Sequence, residues 1–194
     1  MDELDFYQYL FELTNVAFNQ SIIKKIQEKL EKKWNYALSA TKFNKGKDVF
    51  CGIYWSLKPD ESYYPQKDYT KIEDNGAYEY LFVKQNGELI EKYFNIIPET
   101  MGEFNYTNFC FFKSPNKSYL FDYDLDLCSH LFVEYIEYIK PQRLIVFGTS
   151  LEERMKRMRL ETKVMGIKLL ILPHPRERLS AEERLQAWLR ELNY

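Results

Sequence analysis

Four short apolar runs, separated by amphipathic segments, constrain the fold of this chain most strongly. They lie at residues 49–54, 106–112, 143–147 and 168–172, and Gly, Pro or Asn residues stand beside most of their ends. Runs that are apolar without alternation are typical of strands buried on both faces, as in parallel sheets. Each run therefore predicts a central strand.

The segments around these runs have the periodicity of helices. Residues 1–45 hold two amphipathic stretches, which we expect to form helices that pack on the domain. A third helix is predicted before Pro141 from an apolar stripe of Cys128, Leu131, Phe132, Tyr135, Ile136 and Ile139. Capping boxes at 150–153 and 180–183 predict two more helix starts. The alternation predicts one α/β domain over residues 1–194, a three-layer α/β/α fold with a central, mostly parallel four-stranded sheet.

Two further segments follow strand ends. Residues 55–75 read as a long irregular loop leaving the first strand, and loops of this length inside a domain are usually functional. Residues 78–97 predict a hairpin around an Asn86-Gly87 turn.

Composition limits the class of protein. Of the 194 residues, 45% are apolar and 29% charged, as in ordinary globular proteins, and 17% are aromatic. The aromatic share predicts a core built on Phe and Tyr, while stacking surfaces for bases are the alternative. Three cysteines without a C-x-x-C pair, no signal peptide and no long apolar run predict buried free thiols in a cytoplasmic protein without a membrane anchor.

Charge is distributed unevenly along the chain. Residues 1–137 carry 15 basic and 22 acidic side chains, whereas residues 138–194 carry 12 basic and 7 acidic ones. A positive region on an acidic protein favours a partner that bears phosphate.

His174 lies in this basic region, between Pro173 and Pro175, directly after the fourth apolar run. The prolines end the strand and restrict the loop that carries the histidine, although an exposed turn would show the same pattern. There is no Gly-rich phosphate loop, no G-x-S-x-G motif and, with two histidines, no His-rich metal site. Chemistry at His174 would need an orienting amide from another loop, which indicates Asn108.

Four stretches together resemble the uracil-DNA glycosylase superfamily, most closely its thermophile-type class. They are C-G-I-Y-W-S-L-K-P, T-N-F-C-F-F-K-S-P-N-K, C-S-H-L-F-V-E-Y-I-E-Y-I-K-P-Q-R-L-I-V-F-G and L-P-H-P-R-E-R-L-S, at residues 51–59, 107–117, 128–148 and 172–180. The resemblance covers roughly residues 48–192.

This resemblance implies that a base flips out of DNA into a crevice at the strand ends. Asn108 would read the edge of the base, and His174 would donate to uracil O2 as negative charge develops there. Leu179 would be a wedge in the duplex. The remaining expected contacts are with the base, from Gly52 and Ile53, and with DNA, from Lys113, Arg176 and Arg178.

The chain also departs from the superfamily pattern. Tyr54 stands where an Asp or Asn usually positions the attacking water, and with a pKa of about 10 a tyrosine is a poor base near neutral pH. Asp60 or Glu61 could substitute. The stacking aromatic is expected among Tyr63, Tyr64 and Tyr69.

The iron–sulfur ligands of the thermophile-type class are absent as well, with Phe112 at one ligand position and only Cys128 matching another. We therefore expect no cofactor and no metal. The expected partner is DNA, bound by a monomer. The alternative is a catalytically silent member of the fold that binds nucleic acid, a nucleobase or nucleotide, or a protein.

Overall fold

Four strands form one sheet in which every neighbouring pair is parallel. They are β1 (Val49–Ser56), β2 (Asn105–Ser114), β3 (Arg143–Phe147) and β4 (Lys168–Leu172), in the order β2-β1-β3-β4. The computed structural model describes residues 1–29, 43–56, 105–114, 120–148, 151, 153–155, 165–174 and 178–192. All four predicted strands are therefore confirmed. The predicted hairpin lies outside the described residues. The capping box at 150–153 lies only partly within them.

Helices cover this sheet in the predicted three-layer arrangement. Helices α1 (Glu3–Gln20), α2 (Ile22–Lys29) and α3 (Asp122–Ile139) pack together, and α3 lies on β2. Helix α4 (Ala181–Leu192) packs on β4. The α/β/α fold class is thus confirmed for the described part of the chain.

Strand β1 is longer than its apolar run indicated. It continues through Trp55 and Ser56, which the sequence had placed in the following loop. The pairing with β2 shifts between Tyr54 and Trp55. The prediction of a loop from residue 55 was wrong because strand length depends on pairing with a neighbour, and β2 extends far enough to continue that pairing.

One buried carboxylate holds the start of two helices. Asp124 accepts hydrogen bonds from the backbone N–H of Ile22, at 2.6 Å, and from that of Phe121, at 3.4 Å. Ile22 is the first residue of α2 and Phe121 is the N-cap of α3, and backbone donors at a helix start have no partner within the helix. Burial raises the pKa of Asp124, while the backbone donors act against that shift. Asp124 therefore fixes α2 against α3.

The core is aromatic, as the composition predicted. Phe109 of β2 contacts Phe132 of α3 with ring centroids 5.3 Å apart, and Phe6 of α1 stacks on Tyr138 at 3.8 Å. The three thiols are free and buried in the same layers, which also agrees with the prediction. Aromatic rings and thiols thus join the sheet to the helices on the α3 side.

Candidate functional site

One row of residues crosses all four strands near the carboxyl ends of β3 and β4. Asn108 of β2 pairs with Gly52 of β1, and Phe147 of β3 pairs with Leu172 of β4. Cys51 and Val146, which precede Gly52 and Phe147, also pair with each other. The β2–β1 pair and the β3–β4 pair therefore lie at the same level of the sheet. Aligned residues of parallel strands face the same side, so Asn108 shares a sheet face with Phe147, whose ring contacts Trp188 of α4. The row defines the candidate site.

Gly52 leaves the space into which the Asn108 side chain fits. A Cβ atom at position 52 would lie 2.5 Å from Asn108 Oδ1 and 3.1 Å from the hydroxyl oxygen of Tyr106. Only glycine permits so close an approach of a side chain to the strand backbone. The structure therefore brings together two predicted base-binding residues, Gly52 and Asn108. Asn108 is 2% exposed, so its carboxamide lies beneath the surface.

His174 lies just beyond the other end of the row. Its Cβ is 3.6 Å from the position that a Cβ of residue 148 would take, and Gly148 has φ +88°, a conformation that favours glycine. The indole N–H of Trp188 donates to the carbonyl of Pro173 at 3.2 Å. The histidine is half-buried. Helix α4 therefore anchors the backbone that carries His174, a contact the sequence did not predict.

Tyr54 and Ile53 follow Gly52 along β1. Both are partly buried and pack against the hydrophobic core. Tyr54 pairs with Cys110 immediately before the register shift in β1 and β2. The side chain expected at the water-positioning site is therefore part of the sheet packing.

The predicted DNA contacts that the structure describes are accessible. Arg178 is exposed, and Leu179 is 36% exposed. They stand directly before a confirmed capping box, in which Glu183 N–H donates to Ser180 Oγ at 3.1 Å and Ser180 N–H donates to the Glu183 carboxylate at 2.8 Å. The Ser180 bonds lower the pKa of Glu183. Arg176 and the side chain of Lys113 lie outside the described residues, as do Asp60, Glu61 and the three candidate stacking tyrosines.

Ion pairs offset part of the basic charge near the C-terminus. Arg143 binds Asp48, with Nε 2.8 Å from the carboxylate. Arg154 contacts the carboxylates of both Asp122 and Asp126. Each pair joins the basic C-terminal region to an acid from earlier in the chain. The charge asymmetry of the sequence therefore overstates the positive charge available to phosphates.

A cavity of about 600 Å³ lies at the opposite, amino edge of the sheet. It is lined by Asp2, Glu3, Phe43, Asn44, Lys45, Lys47 and Tyr138. Asp2 and Glu3 accept hydrogen bonds from the backbone N–H groups of Asp5 and Phe43, and Lys45 lies over the ring of Tyr138. These polar side chains therefore already support helix α1 and the loop before β1, and the cavity is separate from the row that contains Asn108.

The described residues contain neither a cluster of metal ligands nor a membrane-spanning helix. Within them no three His, Cys, Asp or Glu side chains cluster closely enough to hold a metal ion. None of the described helices has the length and apolarity required to cross a membrane.

Comparison with known proteins identifies no family for this chain. No protein-family model matches the chain, and no curated protein matches it. The resemblance to uracil-DNA glycosylases therefore rests on the four sequence stretches and stays a prediction.

The sequence did not identify two residues of the site. Tyr106 and Asn108 lie on the same face of the sheet because one residue separates them on a strand. The predicted strand was therefore sufficient to place Tyr106 beside Asn108. Trp188 lies with Leu189 and Leu192 at helical spacing, a pattern that predicts an apolar helix face without indicating what that face contacts. Its bond to Pro173 depends on how α4 packs on β4, for which the sequence has no local signal.

Proposed function

We propose that this protein is a DNA base-excision glycosylase, which hydrolyses the N-glycosidic bond of uracil or another deaminated base. The observation that carries the proposal is the row across the sheet, in which Asn108 packs over Gly52 on one side and His174 follows β4 on the other. Three residues named by the sequence resemblance, Gly52, Asn108 and His174, thus lie at or next to one level of a parallel sheet, near the carboxyl ends of β3 and β4, and α/β proteins bind ligands at the carboxyl ends of their strands.

The spacing of the strands suits a base between these side chains. Three inter-strand spacings separate β2 from β4, which places their backbones ~14 Å apart. Asn108 and His174 would extend into that interval from its two ends. Backbones at this separation are too far apart for Asn108 and His174 to form a directly bonded pair, so the two side chains would contact a bound base from different sides.

In the proposed reaction, the bond between C1′ and the base nitrogen breaks and its electron pair moves onto the base. A donor from His174 to O2 would stabilise the charge that develops there, and a preorganised donor of this kind contributes about 10²–10³-fold in rate. Water then attacks C1′, and the proton that it loses passes to the departing base anion, so that the free base and an abasic site are formed. Asn108 would orient the base, while Arg178 and Leu179 would contact the DNA from the exposed turn before α4.

The proposal includes an intracellular monomer as the working form. Three free buried thiols suit a reducing compartment, because oxidising compartments favour disulfides.

Base excision is tested with oligonucleotides that contain uracil, hypoxanthine or xanthine, in single and double strands. We expect abasic product on at least one of them, and we expect His174→Ala to lower the rate by about 100-fold because the donor to the leaving base is removed. The measurement is strand cleavage after alkaline treatment.

The matched control for this experiment is His130→Ala, which removes the other histidine, an exposed residue on α3, and should leave the rate unchanged. No abasic product on any substrate at high protein concentration would overturn the enzymatic proposal.

Replacing Tyr54 tests the water-positioning half of the mechanism. We expect Tyr54→Asn to raise the excision rate at least about 10-fold, because an amide can orient water and a phenol near neutral pH is a weak base. Tyr123→Asn, at an exposed position of α3, is the control. A folded Tyr54→Asn variant that is no faster than wild type would show that Tyr54 does not limit the reaction.

A catalytically silent binder is the second candidate. It is favoured by the burial of Asn108 and by the packing of Tyr54 against the core, since catalysis requires a base to reach Asn108 and a water molecule to reach the position of Tyr54. This candidate predicts salt-dependent binding of uracil-containing DNA in fluorescence anisotropy, without abasic product. Excision by wild type that is lost in His174→Ala would exclude it.

A further inference from the structure

Two of the three buried thiols lie in contact with each other. Cys110 of β2 and Cys128 of α3 are 18 positions apart in the chain, yet their Sγ atoms are 3.5 Å apart. The S–H of Cys128 donates to Cys110 Sγ, and that of Cys110 donates to the carbonyl of Phe112 at 3.7 Å. Both cysteines are free and fully buried. The fold thus holds a pair of thiols where α3 packs on the sheet.

The separation of the two sulfur atoms is short enough for a disulfide to replace their contact. A disulfide requires about 2.05 Å between its sulfur atoms, so the two Sγ atoms would have to approach by about 1.5 Å. Cys110 pairs with Tyr54, the last residue before the register of β1 and β2 shifts. Strands bend at such an irregularity. Side-chain rotation and a small movement of this segment can therefore close the gap.

Proximity distinguishes this pair from the third thiol, whereas acidity does not. Burial raises the pKa of Cys128, and the hydrogen bond and charge of Cys110 add to that shift. Burial likewise raises the pKa of Cys51. Such thiols react slowly with oxidants, because the thiolate is the nucleophile. Cys51, however, donates to the carbonyl of Gly52 at 3.1 Å, so only Cys110 and Cys128 are placed to join each other.

We propose that Cys110 and Cys128 are a redox site at which hydrogen peroxide converts two thiols into a disulfide that ties α3 to β2. The sulfur of one cysteine attacks a peroxide oxygen, the O–O bond breaks, and a sulfenic acid and water form. The sulfur of the second cysteine then displaces the sulfenic oxygen, which takes up the remaining thiol proton and leaves as water. In total, two thiols and one peroxide give one disulfide and two molecules of water. This site does not depend on the proposed base excision.

Peptide mapping tests which thiols join. The folded chain is treated with hydrogen peroxide at neutral pH, and the remaining thiols are blocked with iodoacetamide in urea. Trypsin digestion without reduction separates Cys110 from Cys128, because Lys113 and Lys117 lie between them in the sequence. We expect these two peptides to stay linked until dithiothreitol is added, and we expect Cys51 to carry the iodoacetamide label.

The matched control is Cys51→Ala, which should form the same link, whereas Cys110→Ala and Cys128→Ala should form none. A link that includes Cys51, or sulfinic acids without a link between Cys110 and Cys128, would overturn the proposal. Wild type that keeps all three thiols would overturn it as well, at a peroxide dose that oxidises the chain unfolded in urea.

Thermal unfolding tests whether the bond ties α3 to β2 in the native fold. Because a disulfide closes a loop of the unfolded chain, we expect oxidised wild type to have a Tm at least about 5 °C above that of the reduced protein. Circular dichroism follows the transition. Oxidation should raise the Tm of Cys51→Ala equally and leave that of Cys128→Ala unchanged. An unchanged or lower Tm in fully linked wild type would contradict a bond that fits the native packing.

Discussion

Trp188→Ala is expected to lower the free energy of unfolding by about 3–5 kcal/mol, the range for removing a large buried aromatic side chain. For a domain of this size, this corresponds to a fall in Tm of roughly 6–20 °C. Trp188 is 1% exposed, and its ring lies 5.4 Å from that of Phe147. Phe147 in turn stacks on Phe50 at 5.9 Å. The substitution would open a cavity between α4 and the sheet.

The same variant should release the backbone next to His174, because the indole N–H is the donor to the Pro173 carbonyl. Trp188→Phe separates the two effects, since it keeps most of the ring packing and loses the hydrogen bond, at a cost of about 1 kcal/mol. Thermal and urea unfolding, followed by circular dichroism, measure both variants.

Gln186→Ala, at an exposed position of the same helix, is the control for Trp188 and should change stability by less than about 0.5 kcal/mol. An equal loss of stability in Gln186→Ala and Trp188→Ala would show that Trp188 does not stabilise the packing of α4 on the sheet.

Gly52→Ala is expected to cost about 1–3 kcal/mol, the usual range for adding a methyl group to a filled core. The new Cβ would lie 2.5 Å from Asn108 Oδ1, a distance that cannot persist. Either the Asn108 side chain or strand β1 must move. If the proposed function holds, excision should fall together with stability, because Asn108 would leave its position.

A double-mutant cycle assigns this cost to its cause. Asn108→Ala removes the atoms that the new methyl group meets, so Gly52→Ala should cost less in the Asn108→Ala background than in wild type. Gly166→Ala is the matched control. Gly166 has φ +73° and no atom within 4 Å of its potential Cβ, so its cost comes from backbone strain and should be unaffected by Asn108→Ala. Additive costs for Gly52→Ala and Asn108→Ala would contradict the close contact.

Much of the fold could be predicted from local patterns. The four apolar runs became four parallel strands, and the stripe before Pro141 became α3. The Ser180–Glu183 capping box formed with both of its hydrogen bonds. These features depend on residues close together in the chain, where periodicity and capping chemistry act directly. The end of β1 was not predicted correctly, because the strand extends through Ser56 where it pairs with β2.

The candidate site was only partly predictable. The sequence named His174 and Asn108, yet their burial depends on packing that no single segment specifies. The same is true of the pairing of Arg143 with Asp48, which are 95 positions apart.

By itself, then, the sequence determined the four central strands, the α/β class and the aromatic core, and it named the candidate site residues. The tertiary structure alone decided the strand order β2-β1-β3-β4, the packing of Asn108 and Tyr106 over Gly52, and the anchoring of the His174 backbone by Trp188. The physical reason is that periodicity shows which side of an element is apolar. Which element meets that side, and in what register, depends on contacts between residues far apart in the chain.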